Sequence, residues 1–246
     1  MPKLTLYGYY KSSCTTRLRI ALALKKIDYT TVYINFAAKE HRGDAYAAIN
    51  PNQSLPTLVV EEDGENNGEN DDGNGSSTGP LYITQSVAAL EYLEEAFPDC
   101  AVRLLPGNAA DRARVRSLVE IVVADLQPRQ SAQTLEKLAD DLGASQPQKV
   151  QWAHDWCIKE LRAYEELAAS ASAGSSAGTS AGKYSVGDSL TLADVCLVPA
   201  VQNAVERWGV DLDKELPGLA RIYNNLKALP EVQAAHWAQQ PDAPKQ

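Results

Sequence analysis

The first 35 residues of this 246-residue chain change their period twice, and that change constrains the fold more than any other feature. Residues 3–10 (KLTLYGYY) set Leu4 and Leu6 two apart, the spacing of a strand. Residues 15–26 (TTRLRIALALKK) are strong helix formers and apolar around much of the circumference, so this helix is expected to be buried on more than one side. Residues 29–35 (YTTVYIN) return to β-branched and aromatic side chains. Strand, helix and strand in so short a span read as a βαβ unit with a parallel pair of strands.

The pattern continues for another sixty residues and then loses its strands. A weaker helix is expected over residues 40–49, ended by Asn50-Pro51, and short strands over 58–60 and 81–83. Between those strands, residues 61–79 hold seven acids and no Lys or Arg among Asn, Gly and Ser. Too few apolar groups are present there to offset the entropy of ordering, so the stretch is expected to be a disordered loop inside a hairpin. Residues 86–97 carry a helical stripe at Val87, Leu90, Leu93 and Phe97, and Pro98 and Pro106 mark a linker. Beyond residue 108 only helices are expected, over 111–142, 148–169, 192–208 and 216–229, with a flexible Ala/Gly/Ser linker at 169–182. The fold class is therefore α/β plus all-α. A βαβ–α–ββ–α domain spans residues 1–100 and an all-helical domain spans 107–246.

Composition narrows the function. The net charge is −9, of which the acidic stretch supplies seven, so the remainder is nearly neutral and has no basic face for nucleic acid. No apolar run approaches the ~18 residues of a membrane span, and no signal peptide opens the sequence, so a cytoplasmic protein is expected. Cys14, Cys100, Cys157 and Cys196 form no CxxC pair and no zinc spacing with the three histidines. Reduced thiols and no metal are expected.

The chemistry concentrates at three turns. Tyr10 to Arg17 joins the first strand to the first helix and places Ser12, Ser13 and Cys14 at the helix N-terminus. Unpaired N–H groups and the helix dipole favour an anion there. Three readings stay open: simple N-capping by the hydroxyls, a reactive Cys14 thiol of lowered pKa, or hydroxyls that stabilise the thiolate of a bound thiol. Leu55-Pro56 precedes a short strand, a setting that suits an edge position or a cis bond, with the Leu55 backbone offered to an extended peptide. Gln85-Ser86 opens the next helix, either as a cap or as a carboxylate site. Elsewhere, Thr191-x-x-Asp194 reads as a capping box that starts a core helix. Arg112 and Arg116 read as a solvated face and the four tryptophans as packing.

Together these stretches resemble the zeta class of glutathione transferases. The resemblance rests on Ser12-Ser13-Cys14 with Arg17, on Asn50-Pro51 with Pro56-Thr57-Leu58, and on Gln85-Ser86 with residues 90–95. It rests also on Gln127-Pro128, Val186-Gly187-Asp188, residues 192–199 and the segment Gln240-Pro241-Asp242-Ala243-Pro244. Thr16 and Ser131 depart from the class pattern, and the 203–207 stretch carries one extra residue.

The resemblance implies a thioredoxin-like first domain, a helical-bundle second domain, pairing as a homodimer, and glutathione in the cleft between the domains. It implies that Ser12 hydrogen-bonds the glutathione sulfur, with Ser13 and Cys14 lining the same site. Leu55 beside Pro56 would pair with the cysteinyl backbone, Gln85 and Ser86 would hold the γ-glutamyl group, and Gln127 would reach the cofactor from the second domain. Arg17 and Arg207 would receive the carboxylates of a small-molecule substrate. The implied reaction is glutathione-dependent cis–trans isomerisation of maleylacetoacetate to fumarylacetoacetate in tyrosine and phenylalanine catabolism. Its rivals are conjugation or dehalogenation of small α-halo acids, glutaredoxin-like redox chemistry at Cys14, and a non-catalytic interaction module.

Overall fold

The computed structural model describes residues 2–62, 79–173 and 182–244, without the side chains of 171–173. Most of the acidic stretch expected to be disordered, residues 63–78, lies outside the described residues, as do residues 174–181 of the second linker. By its contacts the chain divides into two units, Met1–Phe97 with His236–Gln246, and Pro98–Ala235. The closing segment 236–246, which the sequence reading assigned to the helical domain, thus belongs with the first unit.

The first unit is built on a four-stranded sheet of order β2-β1-β3-β4, from β1 (Lys3–Gly8), β2 (Thr30–Tyr33), β3 (Thr57–Glu61) and β4 (Leu81–Ile83). Strands β1 and β2 run parallel, as the βαβ reading requires, and β3 is antiparallel to both β1 and β4. Along β1 the pleat puts Leu4 and Leu6 in the core at 1% and 0% exposure. Helix α1 (Ser13–Lys25) follows β1 and buries ten of its thirteen residues, so it shows almost no solvent-exposed face. It ends with Lys26 in a left-handed conformation at φ 55°, and the Ile27 N–H bonds back to the Leu22 carbonyl at 3.0 Å. Gly8 lets the strand end approach this helix: a Cβ there would stand 2.4 Å from Thr15 Cγ2.

The weaker helix expected over 40–49 is a 3₁₀ turn (Glu40–Arg42) followed by the single-turn α2 (Asp44–Ala47). Gly43, extended at φ −78° and ψ 155°, interrupts it. Helix α3 (Ser86–Ala96) packs Ala89, Leu90 and Leu93 inward and meets α1 through the buried Lys25–Glu94 ion pair at 2.5 Å.

Among the described residues the regular elements of the second unit are all helices: α4 (Ala109–Glu120), α5 (Gln127–Arg129), α6 (Ala132–Leu142), α7 (Gln146–Ala173), α8 (Leu192–Trp208), α9 (Leu212–Glu215), α10 (Pro217–Lys227) and α11 (Pro230–Ala235). The single helix expected over 111–142 is divided. A π-helical turn, Ile121–Leu126, joins α4 to α5, and Ser131 caps α6 anew by accepting the Thr134 N–H at 3.2 Å. Pro128 supplies the physical reason, since it has no N–H to close an α-turn onto residue 124 and the wider turn accommodates it. Helix α7 runs on to Ala173, so residues 169–173, read as linker, are helical, in keeping with their alanines. Helix α8 buries thirteen of its seventeen residues and forms the centre of the unit. Its capping box is present. Asp194 accepts from the Thr191 N–H at 2.8 Å, the Thr191 hydroxyl at 2.9 Å and the Ser185 N–H at 2.9 Å. Burial pushes the Asp194 carboxyl pKa up, and the Ser185 and Thr191 hydrogen bonds oppose that shift. Among the described residues no helix is long and apolar enough to cross a membrane.

Candidate active site

In the first unit the three turns singled out in the sequence are all at the ends of sheet strands. Ser12 is the N-cap of α1: extended at φ −76° and ψ 112°, its Oγ accepts the Thr15 N–H at 3.2 Å. The capping reading is therefore correct as far as it goes. It does not exhaust the hydroxyl, which accepts through a lone pair and keeps its own proton to donate. Ser13 and Cys14 follow in the first turn, both half-buried.

Arg17 lies one turn further along α1. The sequence reading set it among the substrate groups, but the structure turns it inward at 2% exposure. Its Nη1 donates to Ser86 Oγ at 3.1 Å and stands 3.7 Å from Cys14 Sγ. The buried guanidinium therefore ties the N-terminus of α1 to that of α3. The reason is burial: Arg17 sits on a helix that has no solvent face at this level, so its charge is directed to the nearest polar atoms. Gln85, the exposed N-cap of α3, makes no side-chain cap bond, and Ser86 is buried at the first helical position. Neither α1 nor α3 has an acidic residue in its first turn. Two helix N-termini, each worth about half a positive charge, and one guanidinium thus converge at a corner that favours an anion.

The third turn is held by Asn50 and Thr57 of the quoted motif and by Tyr46, which the sequence reading missed. The Leu55–Pro56 peptide bond is cis, and Leu55 is half-buried. Around it, Tyr46 OH donates to the Ser54 carbonyl at 2.7 Å and lies 2.8 Å from Thr57 Oγ1. Asn50 Nδ2 donates to the same carbonyl at 2.8 Å and to Thr57 Oγ1 at 3.1 Å. Asn50 and Thr57 are fully buried. The Asn-Pro and Pro-Thr pieces of the motif therefore form one locked loop. Tyr46 carried no signal, because it stands in a short helix with no distinctive period.

In the second unit, Gln127 begins α5 directly after the π-turn and is half-buried. Arg207 is exposed in the last turn of α8, its guanidinium 4.6 Å from the Trp208 ring centroid. The Trp208 indole N–H donates to Gln130 Oε1, which also lies 3.6 Å from Cys157 Sγ. Burial raises the Cys157 thiol to about 12, so it stays protonated and inert at neutral pH.

A mixed four-stranded sheet with a cis-proline turn, followed by a helical unit, is the architecture of glutathione transferases. Comparison with known proteins agrees. The family model for the glutathione S-transferase N-terminal domain matches residues 11–96, and that for the C-terminal domain matches residues 157–237. The maleylacetoacetate isomerase of Aspergillus fumigatus is 42% identical over all of this chain and 95% of its own length. That of Mus musculus is 36% identical over 97% of this chain and 94% of its own. Among solved structures, a bacterial maleyl pyruvate isomerase described as a zeta-class glutathione S-transferase superposes with a TM-score of 0.80 at 34% identity, covering 98% of this chain and all of its own. The maleylacetoacetate isomerase of Anaeromyxobacter dehalogenans, with dicarboxyethyl glutathione and citrate in its active site, gives 0.78 at 36% identity over 99% and 94% of the two chains. The chain belongs to the zeta class of the glutathione S-transferase family.

Proposed function

We propose that this chain is a glutathione-dependent cis–trans isomerase that converts maleylacetoacetate to fumarylacetoacetate, acting in the cytoplasm as a homodimer in tyrosine and phenylalanine breakdown. The observation that carries the reading is the corner between α1 and α3, where Ser12, a buried Arg17 and two helix N-termini free of first-turn acids converge. That corner fits glutathione, which brings an ionisable thiol and two carboxylates. When bound, glutathione supplies the sulfur nucleophile that adds to the double bond and leaves again after rotation. Relatives named for this reaction, one of them holding a glutathione that bears a dicarboxyethyl group, support the same reading.

The chain's own residues have defined tasks. Ser12 donates its hydroxyl proton to the sulfur and, with the α1 dipole, lowers the thiol pKa. Ser13 and Cys14 line the same pocket. Arg17 adds a fixed positive charge and holds Ser86 in place. Gln85 and Ser86 bind the γ-glutamyl carboxylate at the start of α3. Leu55 pairs its backbone with the cysteinyl residue, and Gln127 contributes from the helical unit. Arg207, exposed and backed by Trp208, receives a substrate carboxylate and the negative charge that develops on the substrate. In this division the first unit supplies the glutathione site apart from Gln127, and the second carries the substrate group Arg207.

The test is turnover of maleylacetone by purified protein with and without glutathione, run beside a small α-halo acid and a disulfide substrate. Glutathione-dependent isomerisation that survives Cys14→Ala is expected. Absence of isomerisation, or activity that vanishes in Cys14→Ala together with disulfide reduction, overturns the reading.

A further inference from the structure

Beyond the thiol corner, the segment 236–244 and the turn before Ser12 make a set of contacts that the proposed chemistry does not yet use. Strand β1 ends at Gly8, and the chain runs through Tyr9, Tyr10 and Lys11 before Ser12 opens α1. Outside the ladder, such a connection would be free to move. Here the two successive peptide planes on either side of the Tyr10 Cα are both held. The Tyr10 N–H donates to Asp242 Oδ2 at 2.8 Å, and the Tyr10 carbonyl accepts from Arg19 Nη1 at 3.3 Å. Two residues on, the Ser12 N–H closes onto the Tyr9 carbonyl at 3.1 Å. The Trp237 ring lies 6.3 Å from that of Tyr10, and the Lys11 ammonium stands 5.5 Å from the Trp237 centroid.

The arrangement is costly to build and so points to a task. Arg19 is 3% exposed, on the same helix that Ser12 caps. Asp242 Oδ1 and Arg19 Nη2 are buried without a hydrogen-bond partner among the described residues, so neither group is placed to satisfy itself. Pro241 and Pro244 flank Asp242 and limit the freedom its segment must lose. The acceptor comes from 232 residues away, where no local turn chemistry could supply it.

We propose that Asp242 is a positioning residue for Ser12. By accepting the Tyr10 N–H opposite Arg19, it fixes the strand-to-helix turn so that the Ser12 hydroxyl meets the bound sulfur in one geometry. The inference rests on the reading of Ser12 given above. Misplacing a reacting group by about 1 Å costs on the order of a hundredfold in rate, so a turn held on both faces has a direct catalytic consequence.

The test compares Asp242→Ala, Asp242→Asn and Ser12→Ala with the wild type. Amide exchange of the glutathione-free protein reads the clamp itself. In the wild type the Tyr10 amide should be protected like those within β1, although it lies outside the strand. In Asp242→Ala it should exchange at least about tenfold faster while the β1 amides stay protected. With glutathione bound, Asp242→Ala should lose about tenfold in kcat at a nearly unchanged glutathione KM, and the pKa of the bound thiol should rise. Asp242→Asn keeps an acceptor oxygen and should recover most of both losses. An unprotected Tyr10 amide in the wild type overturns the clamp even where Asp242→Ala does not fold. Faster exchange with unchanged kcat and bound-thiol pKa, in a protein that Ser12→Ala inactivates, overturns the coupling. A fully active Ser12→Ala removes the reading beneath both.

Discussion

Replacing Ser12 by alanine and, separately, by glycine divides the two roles that converge on its hydroxyl. The Oγ caps α1 by accepting the Thr15 N–H at 3.2 Å, and its proton is assigned to the bound sulfur. An N-cap serine is worth about 1 kcal/mol against alanine but only a few tenths of a kcal/mol against glycine. For a chain of 246 residues the alanine variant should therefore melt about 2–4 °C lower and the glycine variant about 1 °C lower. A hydrogen bond to a charged group contributes about 1.5–3 kcal/mol, and both variants lose it in full. At about 1.4 kcal/mol per decade, this raises the pKa of the bound thiol by roughly 1–2 units and lowers kcat by about 10- to 200-fold. The glutathione KM should move little, because the proposed γ-glutamyl and backbone contacts are assigned to other residues. The assays are thermal unfolding, ultraviolet titration of the bound thiolate, and steady-state isomerisation at saturating glutathione. Activity should fall equally in the two variants while their melting temperatures differ. A glycine variant whose kcat stays within about twofold of the wild type refutes the reasoning, because it would leave the hydroxyl as a cap and nothing more.

Two further substitutions test the scaffold that holds this turn. Gly8→Ala drives a methyl group to 2.4 Å from Thr15 Cγ2, a fully buried and β-branched neighbour, and should cost about 1–3 kcal/mol in denaturant unfolding; an unchanged midpoint would count against the close approach of β1 to α1. Asp194→Ala strands two backbone N–H groups and one hydroxyl in the centre of the helical unit and should cost at least about 3 kcal/mol, with Asp194→Asn recovering part; a loss below about 1 kcal/mol would show that the capping box is not what holds α8.

What could be read in the sequence divides by range. The βαβ start, the cap at Ser12, the capping box at Thr191 and the bounds of α8 were legible, because each depends on residues within one or two turns of one another. The π-turn before Gln127 was not, since periodicity across 111–142 continues through it and the effect of Pro128 falls on the turn before the proline. The direction of Arg17 was also hidden. A cation near the turn is visible in the sequence, but whether it faces solvent or Ser86 depends on how α3 packs on α1. Tyr46 and Asp242 act through contacts 11 and 232 residues away; Tyr46 stands in no pattern of its own, and the motif that holds Asp242 gives no sign of the residue it meets.

The corner raises an electrostatic question that its composition answers. A thiolate could be stabilised by a surface lysine, but that charge is strongly hydrated, mobile and screened by salt. Here the positive potential comes from two helix N-termini, which lose no side-chain entropy, and from a guanidinium held at 2% exposure by Ser86 and by its neighbours on α1. In the proposed reaction such groups would be in place before the charge forms and need not reorganise when it does, which is the condition under which electrostatic stabilisation lowers a barrier most. Neither first turn carries an acid to compete for that potential, and seven of the nine excess negative charges belong to residues 61–79. The acidity of the chain as a whole is therefore no guide to the site, which is electropositive in a protein of net charge −9.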